Sequence, residues 1–451
     1  MVYDVAVVGS GFSAIAETAN LLRLLPASSS IAVVGDDPGF GRGTAYRTEL
    51  HIHRLNVPAQ RMSIFADRPD DFADWLRTRG KGVPPDGFAS RDDFGRYLRD
   101  RLAALLRERD RPVLHFIKAK AVACEQCSAA KNAFRLDNGS LLEATNVVLC
   151  LGIGNADVSV DVTHIEGPMR ERIVTNPWRL GWLSHVKPSQ TVCILGSGLT
   201  MVDQVLALRA HGHRGPIRVL SRRGLLSHAH ADSKVEPIAP TLPASRDMSA
   251  LLASLRQQVR AGADWRGVMD GLRPLTQRLW QELSPAQKSR FLRHALPWWN
   301  IHRHRLAPLV ASRLDALGKS GALRVYKGYI KDIEAAKCKL VASFRPRGES
   351  GLAQLEADWV VNCTGMERAG IRHSPLLRQM LQDGSIRADE LGLGICVDQS
   401  AQIVDRNGVV QPGLFALGAL TAGQFWEITA VPDIRVQARS VAEQIAANLA
   451  V

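Results

Sequence analysis

The chain has 451 residues, of which 46% are apolar and 22% charged, with a net charge of +13 at neutral pH. That length suggests about three domains, and the composition suits a water-soluble protein with a large core rather than a disordered or membrane-spanning one. No run of eighteen apolar residues occurs, and the chain starts directly on a strand-like stretch, so neither a transmembrane helix nor a signal peptide is expected and the location expected is cytoplasmic. Seven cysteines, mostly on apolar segments (Cys150, Cys193, Cys363), fit reduced thiols. Lysines and arginines are spread along the chain without forming a tract. A need for local positive charge around phosphate-rich small molecules accounts for them better than nucleic acid does.

Val5 to Val8 read as a buried parallel strand, and Ala14 through Leu24 as a helix with apolar residues at three- and four-residue steps. The turn between them, Gly9-Ser10-Gly11-Phe12-Ser13-Ala14, spells G-x-G-x-x-A. Gly9 permits the tight turn, Gly11 leaves room for a pyrophosphate, and Ala14 lets helix and strand pack closely. The free N–H groups at the helix start face the phosphate. A strand, this turn and a helix in that order are the dinucleotide-binding fingerprint. Ile31 to Val34 form the second strand, after which an acid should bond the adenosine ribose. Gly35 occupies the expected position, so Asp36 is assigned that role.

Three further stretches follow: Gly41-Arg42-Gly43-Thr44-Ala45-Tyr46, Leu55-Asn56-Val57-Pro58 and Met62-Ser63. Together with Asp71 to Leu76 and Arg91 to Leu98, they resemble the FAD/NAD(P)-binding oxidoreductases with G-x-G-x-A-Y, L-N-x-P and Met-Ser motifs. These are relatives of the two-dinucleotide-domain flavoproteins, a group that includes the N-hydroxylating flavin monooxygenases. The resemblance implies that this excursion lies along the flavin, with Asn56, Met62 and Ser63 beside it. It also implies a small antiparallel meander over Val113 to Asp137, where Asp137-Asn138-Gly139 is a strong hairpin turn. Val147 to Gly152 then returns to the parallel sheet, and Gly152 lets the backbone approach the cofactor. Cys124-Glu125-Gln126-Cys127 falls in the meander and has no second C-x-x-C, so a structural role is expected over a redox or zinc one.

Val192 to Asp203 repeats the strand-turn-helix, with Gly196, Gly198 and Thr200 at the turn and Met201 in place of the third small residue. The partner strand, Ile217 to Leu220, ends in Ser221-Arg222-Arg223. Where an NAD site wants a carboxylate, this one offers a hydroxyl and two guanidiniums, the chemistry that binds a 2′-phosphate. NADPH is therefore expected over NADH.

Residues 232–317 break the alternating pattern and read as a helical insertion, with Ser284-Pro285 as an N-cap and first helical position. The insertion contains Trp298-Trp299-Asn300-Ile301-His302-Arg303-His304-Arg305. This stretch is either an anion-binding substrate wall or a packed joint, and no metal site is expected of it. Leu323 to Tyr326 and Trp359 to Gly365 read as closing strands, and Thr364-Gly365 resembles the return at the second hinge of these flavoproteins. Gly413 to Leu420, including Gly418, is a last sheet strand. Trp426-Glu427 and the turn after it lead into a helix from Pro432 to Leu449, with Asp433 complementing the dipole. The resemblance implies that this helix start points at the flavin pyrimidine edge.

The expected fold is α/β, with two doubly wound Rossmann-like domains. The FAD domain is discontinuous (1–187 and 366–451), the NADPH domain is split (188–231 and 318–365), and the helical insertion lies between its halves. The expected function is that of an FAD- and NADPH-dependent oxidoreductase, a single-component flavin monooxygenase acting with O2 on a small substrate at nitrogen or sulfur. An amino-acid-like or anionic substrate fits the basic insertion. Catalytic candidates are His302, Arg303, Arg305, Trp426 and Glu427. A flavin reductase or dehydrogenase without oxygenation, or a non-catalytic FAD-bound sensor, remains the alternative. Oligomeric state is left open.

Overall fold

The computed structural model describes residues 2–36, 40–127, 131–152, 154, 156–244, 247–365 and 371–449, without the side chains of Gln126 and Cys127. The chain builds two sheets. The first takes β1 (Val2–Val8), β2 (Ser30–Val34), β3 (Val113–Ile117), β4 (Ala121–Cys127), β5 (Asn132–Leu136) and β6 (Leu141–Leu149). The second takes β7 (Ile173–Val174), β8 (Val192–Leu195), β9 (Ile217–Ser221), β10 (Leu323–Ala336), β11 (Lys339–Pro346), β12 (Ala353–Ala357) and β13 (Trp359–Asn362). The chain then returns to the first sheet with β14 (Gln402–Val404) and β15 (Val410–Ala416).

The main path of the first sheet runs β14-β15-β6-β1-β2-β3, and the second runs β12-β11-β10-β9-β8-β13-β7. Val5 pairs with both Ile31 and Asn146 in parallel register, which puts β1 at the centre of its sheet. In the second sheet β8 holds the same position, between β9 and β13. Val5, Val7, Ile15, Leu21, Leu22 and Ile31 are fully buried. Each such side chain contributes roughly 1.5–3 kcal/mol relative to exposure. The helix Phe12–Leu24 packs against the C-terminal helix Val431–Leu449, with Ala14, Ala16 and Ala19 meeting Ala438, Val441 and Ala442 in one core cluster. The small side chains allow that close approach.

Three features differ from the sequence reading. Val113–Ile117 is a parallel edge strand on β2 rather than part of the meander, which consists of β4, β5 and the start of β6. Ile173–Val174 pairs with β13, so the chain has already crossed to the second sheet before residue 187. A two-residue strand carries no periodicity that sequence could reveal. The helix Pro308–Lys319 packs Val310 and Leu314 into the core of the second sheet, so it is that sheet's crossover helix and the insertion ends near its start. Propensity alone cannot tell a crossover helix from an inserted one.

β10 serves two pairings. Leu323–Lys327 runs parallel to β9, and Gly328–Ala336 runs antiparallel to β11. Gly328 sits where the pairing changes, and a Cβ there would press into the Phe344 ring. Among the described residues no helix is long and apolar enough to cross a membrane.

Candidate nucleotide sites and the cavity beside the C-terminal helix

The turn after β1 has Gly9 at φ +140°, a conformation that favours glycine. A Cβ there would run into the Cys150 carbonyl at the end of β6, so Gly9 keeps turn and neighbouring strand in contact. Gly11 is different. It is the N-cap of the helix Phe12–Leu24, no side chain caps the helix, and a Cβ on it would meet nothing within 4 Å. Unpaired N–H groups facing open space at a helix start are what a pyrophosphate requires. Phe12 is buried against Tyr46 and Phe94, so it contributes backbone rather than side chain. Ala14 is fully buried. Ser13 abuts Gly418, whose φ of +71° folds the turn after β15 onto the same loop. Gly43 approaches the Cα of Gly11, and the Gly41 N–H donates to the Ser10 carbonyl at 2.9 Å. Gly152 is exposed, with space around it.

Asp36 is exposed and lies 3.0 Å from Lys120. An exposed pair of this kind is worth about 0–1 kcal/mol, so it leaves the carboxylate available. Asn56 sits in the excursion, and its carbonyl accepts from His230 Nε2–H at 3.0 Å. Its side-chain amide has no hydrogen-bond partner among the described residues. Met62 and Ser63 are both buried. Met62 is a core side chain, and the fully buried Ser63 hydroxyl accepts from the Phe65 N–H at 3.0 Å. Both side chains are committed to the fold of the excursion.

The second turn repeats the first. Gly196 has φ +99° and packs on the Cys363 carbonyl at the end of β13. Gly198 is an uncapped helix N-cap with nothing within 4 Å of an added Cβ, and Thr200 lies in the first turn. Met201 is fully buried where the first module has Ala14. Ser221 is occupied within the turn: its Oγ lies 2.9 Å from Ser197 Oγ and accepts the Gly224 N–H at 3.0 Å. Arg222 is exposed and Arg223 half-buried. Neither has a hydrogen bond or ion pair among the described residues, so two guanidiniums are available at the strand end.

The catalytic candidates divide into three groups. Trp299 and Arg303, one helical turn apart on Leu296–Arg303, converge on Glu427. Trp299 Nε1–H donates to Oε1 at 2.8 Å, Arg303 Nε lies 2.8 Å from Oε2, and His304 Nε2 lies 3.5 Å from Oε1. Burial alone would raise the Glu427 carboxyl, but His304, Arg303 and the Trp299 N–H outweigh it and hold it at about 2. Glu427 also has φ +68°, a strained conformation for a residue with a side chain. Its neighbour Trp426 stacks on Trp280, with ring centroids 4.4 Å apart. His302 points elsewhere, against His228 and Trp265. Arg305 is buried and pairs with Asp270. The Trp-His-Arg stretch is thus a joint that ties the insertion to the turn before the C-terminal helix.

Beside that joint lies a cavity of about 490 Å³, lined among others by Arg61, Arg273, Arg303, Trp426, Asp433 and Arg435. Pro432 and Asp433 form its helix-start wall, and Asp433 lies 3.2 Å from Arg273. A second cavity of about 600 Å³ shares Arg61 with it and is lined also by His230, Asp270 and Arg305. Burial lowers His230 to about 4, so it is neutral at pH 7. Arg61, Arg273, Arg435 and Asp270 were not expected from sequence; a lone arginine in a loop or helix carries no signal of its own. A larger groove of about 960 Å³ runs along the outer helices past Arg42 and Arg96. Two of the acids lining it are already used, Asp92 by Arg96 and Asp100 by Arg79, and Glu49 is the third.

Cys124 lies buried in β4. The Cys127 side chain is outside the described residues, so the structure does not bear on the C-x-x-C pairing. Burial pushes the thiols of Cys150, Cys193 and Cys363 up, Cys193 to about 12, which keeps them protonated. Among the described residues no three His, Cys, Asp or Glu are grouped to hold a metal ion.

Comparison with known proteins agrees with this geometry. Residues 6–154 match the family model described as FAD-NAD(P)-binding. Uncharacterized proteins of Mycobacterium tuberculosis and Mycobacterium bovis are each 23% identical, over 99% of this chain and 96% of theirs. Among solved structures, the ornithine N-hydroxylase of Kutzneria sp. has a TM-score of 0.69 at 15% identity, with both chains fully covered. The L-lysine 6-monooxygenase of Pseudomonas syringae has 0.67 at 18%, over 98% of this chain and 99% of that one. The bacillithiol disulfide reductase of Bacillus cereus has 0.56 at 14%, over 99% and 100%. Residues 6–154 thus match an FAD-NAD(P)-binding model, and the chain as a whole has the two-dinucleotide-domain fold of these solved structures.

Proposed function

We propose that this protein is an NADPH-dependent flavin monooxygenase that oxygenates a small polar substrate at nitrogen or sulfur. The observation that carries the reading is the pair of uncapped, glycine-opened helix starts, at Gly11 and Gly198, in one chain. One suits the pyrophosphate of FAD, and the other, with Arg222 and Arg223 free at its strand end, suits NADPH. The fold likeness to ornithine and lysine hydroxylases favours oxygenation over simple reduction. Bound FAD would accept hydride from NADPH and react with O2. The residues of the chain have other tasks. The N–H groups of Phe12 and Ser13 hold phosphate. The Glu427 joint fixes the turn that starts the C-terminal helix. Trp426 and Ile428, both buried, exclude water from that end of the cavity.

The test is to purify the protein, confirm that it is yellow and releases FAD rather than FMN, and then reduce it anaerobically with NADPH. Mixing with O2 should give an absorbance transient that outlives simple reoxidation, and oxygenated product from a panel of small amines and thiols. Reoxidation without a transient, with one hydrogen peroxide formed per NADPH oxidised for every panel member, would favour the reductase reading.

A further inference from the structure

We propose that Arg61 and Arg435 form a seat for a carboxylate on the ligand that occupies the cavity beside the C-terminal helix. The argument is a count of charges. Arg61, Arg273, Arg303 and Arg435 line this cavity. Two acids face them in its wall, and each already has its own arginine. Glu427 pairs with Arg303, and Asp433 with Arg273. On its other side Arg61 lines the second cavity, whose Asp270 pairs with Arg305 and Glu236 with Lys234, while Asp86 and Asp232 lie beyond ion-pair distance of Arg61.

Two guanidiniums remain. The Arg61 guanidinium has no hydrogen bond or ion pair among the described residues. It feels the fields of Asp270 and Asp433, and also the opposing fields of Arg303 and Arg305. Arg435 donates only to the neutral Ser63 carbonyl, at 3.2 Å, and its Nε is buried without a partner. Both are half-buried, and burial lowers the proton affinity of both. Cations drawn out of water without a counter-ion are costly, and an anionic ligand removes that cost. The planar guanidinium fork matches a carboxylate in two parallel hydrogen bonds.

The rest of the wall sets the class of ligand. Phe425, Trp426, Ile428 and Val436 give an apolar side, and about 490 Å³ suits a small molecule. The ligand is a short aliphatic acid; an uncompensated excess of cations disfavours a simple diamine. Calling it the substrate rests on the oxygenase reading. The seat itself requires only the cavity.

The experiment is isothermal titration calorimetry of the oxidised, FAD-containing protein, without NADPH or O2, so that it can fail or succeed apart from the oxygenase reading. The probes are 5-aminopentanoate and its neutral analogue 5-aminopentanamide. The carboxylate should bind at least about tenfold tighter, the scale of one charge-assisted hydrogen bond. Arg61→Gln and Arg435→Gln should each remove most of that preference, Arg435→Lys should keep part of it, and exposed Arg324→Gln should change nothing. Arg61→Lys serves if the glutamine variant does not fold. Equal binding of the two probes, no binding of either, or a preference kept in the Arg61→Gln, Arg435→Gln double variant would overturn the proposal. So would loss of the preference at saturating NADP+, which would assign the arginines to a nucleotide phosphate. A changed flavin midpoint potential in Arg435→Gln with carboxylate binding intact would likewise assign that charge to the flavin.

Discussion

The two nucleotide modules of this chain share one backbone solution and differ in what surrounds it. In each, a central parallel strand ends in a glycine with positive φ, packed on a carbonyl of the neighbouring strand: Gly9 on Cys150, and Gly196 on Cys363. In each, a second glycine two residues later opens an uncapped helix. The differences lie outside the turn. The first module places Asp36 after its second strand, whereas the second places Arg222 and Arg223 there. The first helix carries a buried Glu17 where the second carries a buried Gln204, and burial raises the Glu17 carboxyl. The first module alone gains a closing element, the C-terminal helix, pinned through Glu427 to the insertion. The comparison teaches that the two turns offer a phosphate the same backbone, and that the contrast between them lies in the side chains at the strand end and above the turn.

The largest effect should come from filling the open glycines. Gly11→Val should abolish FAD binding by filling the space at the helix start, with the fold retained, because a Cβ added there meets no protein atom within 4 Å. Gly198→Val should leave FAD in place and remove NADPH binding. Released-flavin absorbance and thermal melting read both outcomes. If Gly198→Val were to cost FAD instead, the assignment of the two modules would be reversed.

Glu427→Gln breaks a buried charge pair that only the first module has, at a cost of about 3–5 kcal/mol. The pH dependence has a definite sign. The folded carboxyl is held at about 2, below the ordinary glutamate value near 4.3. Its contribution is therefore fully present above that ordinary value and is lost as pH falls toward 2. The gap in melting temperature between the natural protein and Glu427→Gln should be wide at pH 6 and narrow at pH 3. A gap that stays constant would show that the charge of Glu427 is not what matters.

Gly9→Ala and Gly196→Ala should destabilise comparably, by about 2–4 kcal/mol each, from positive φ and a clash with the facing carbonyl. Chemical denaturation with flavin saturating measures this. A large cost at one glycine and none at the other would break the symmetry of the modules.

The smallest effect concerns the strand ends. An arginine–phosphate contact contributes about 1.5–3 kcal/mol, or roughly 10- to 100-fold. NADPH should reduce the flavin at least tenfold more efficiently than NADH. Arg222→Ala with Arg223→Ala should erase most of that preference, and added salt should shrink it. Equal efficiency with both nucleotides in the natural protein would remove the contrast between the modules.

The sequence by itself determined the two strand-turn-helix units, most of the sheet strands around them and the C-terminal helix, because these are local. A glycine turn, a β-branched run and a helical period are each written within about twenty residues. The tertiary structure alone decided the rest. It showed that Ile173–Val174 belongs to the second sheet and that Pro308–Lys319 is a crossover helix, since both facts depend on which partner is near. It sent Trp299, Arg303 and His304 to Glu427, while His302 and Arg305 face other partners. One helical stretch presents successive side chains to different surroundings, and only the packed neighbours say which is which. Arg61 and Arg435 stand 374 positions apart in the chain. The absence of a carboxylate for either could be read only once the two acids of their cavity, Glu427 and Asp433, had been seen paired with other arginines.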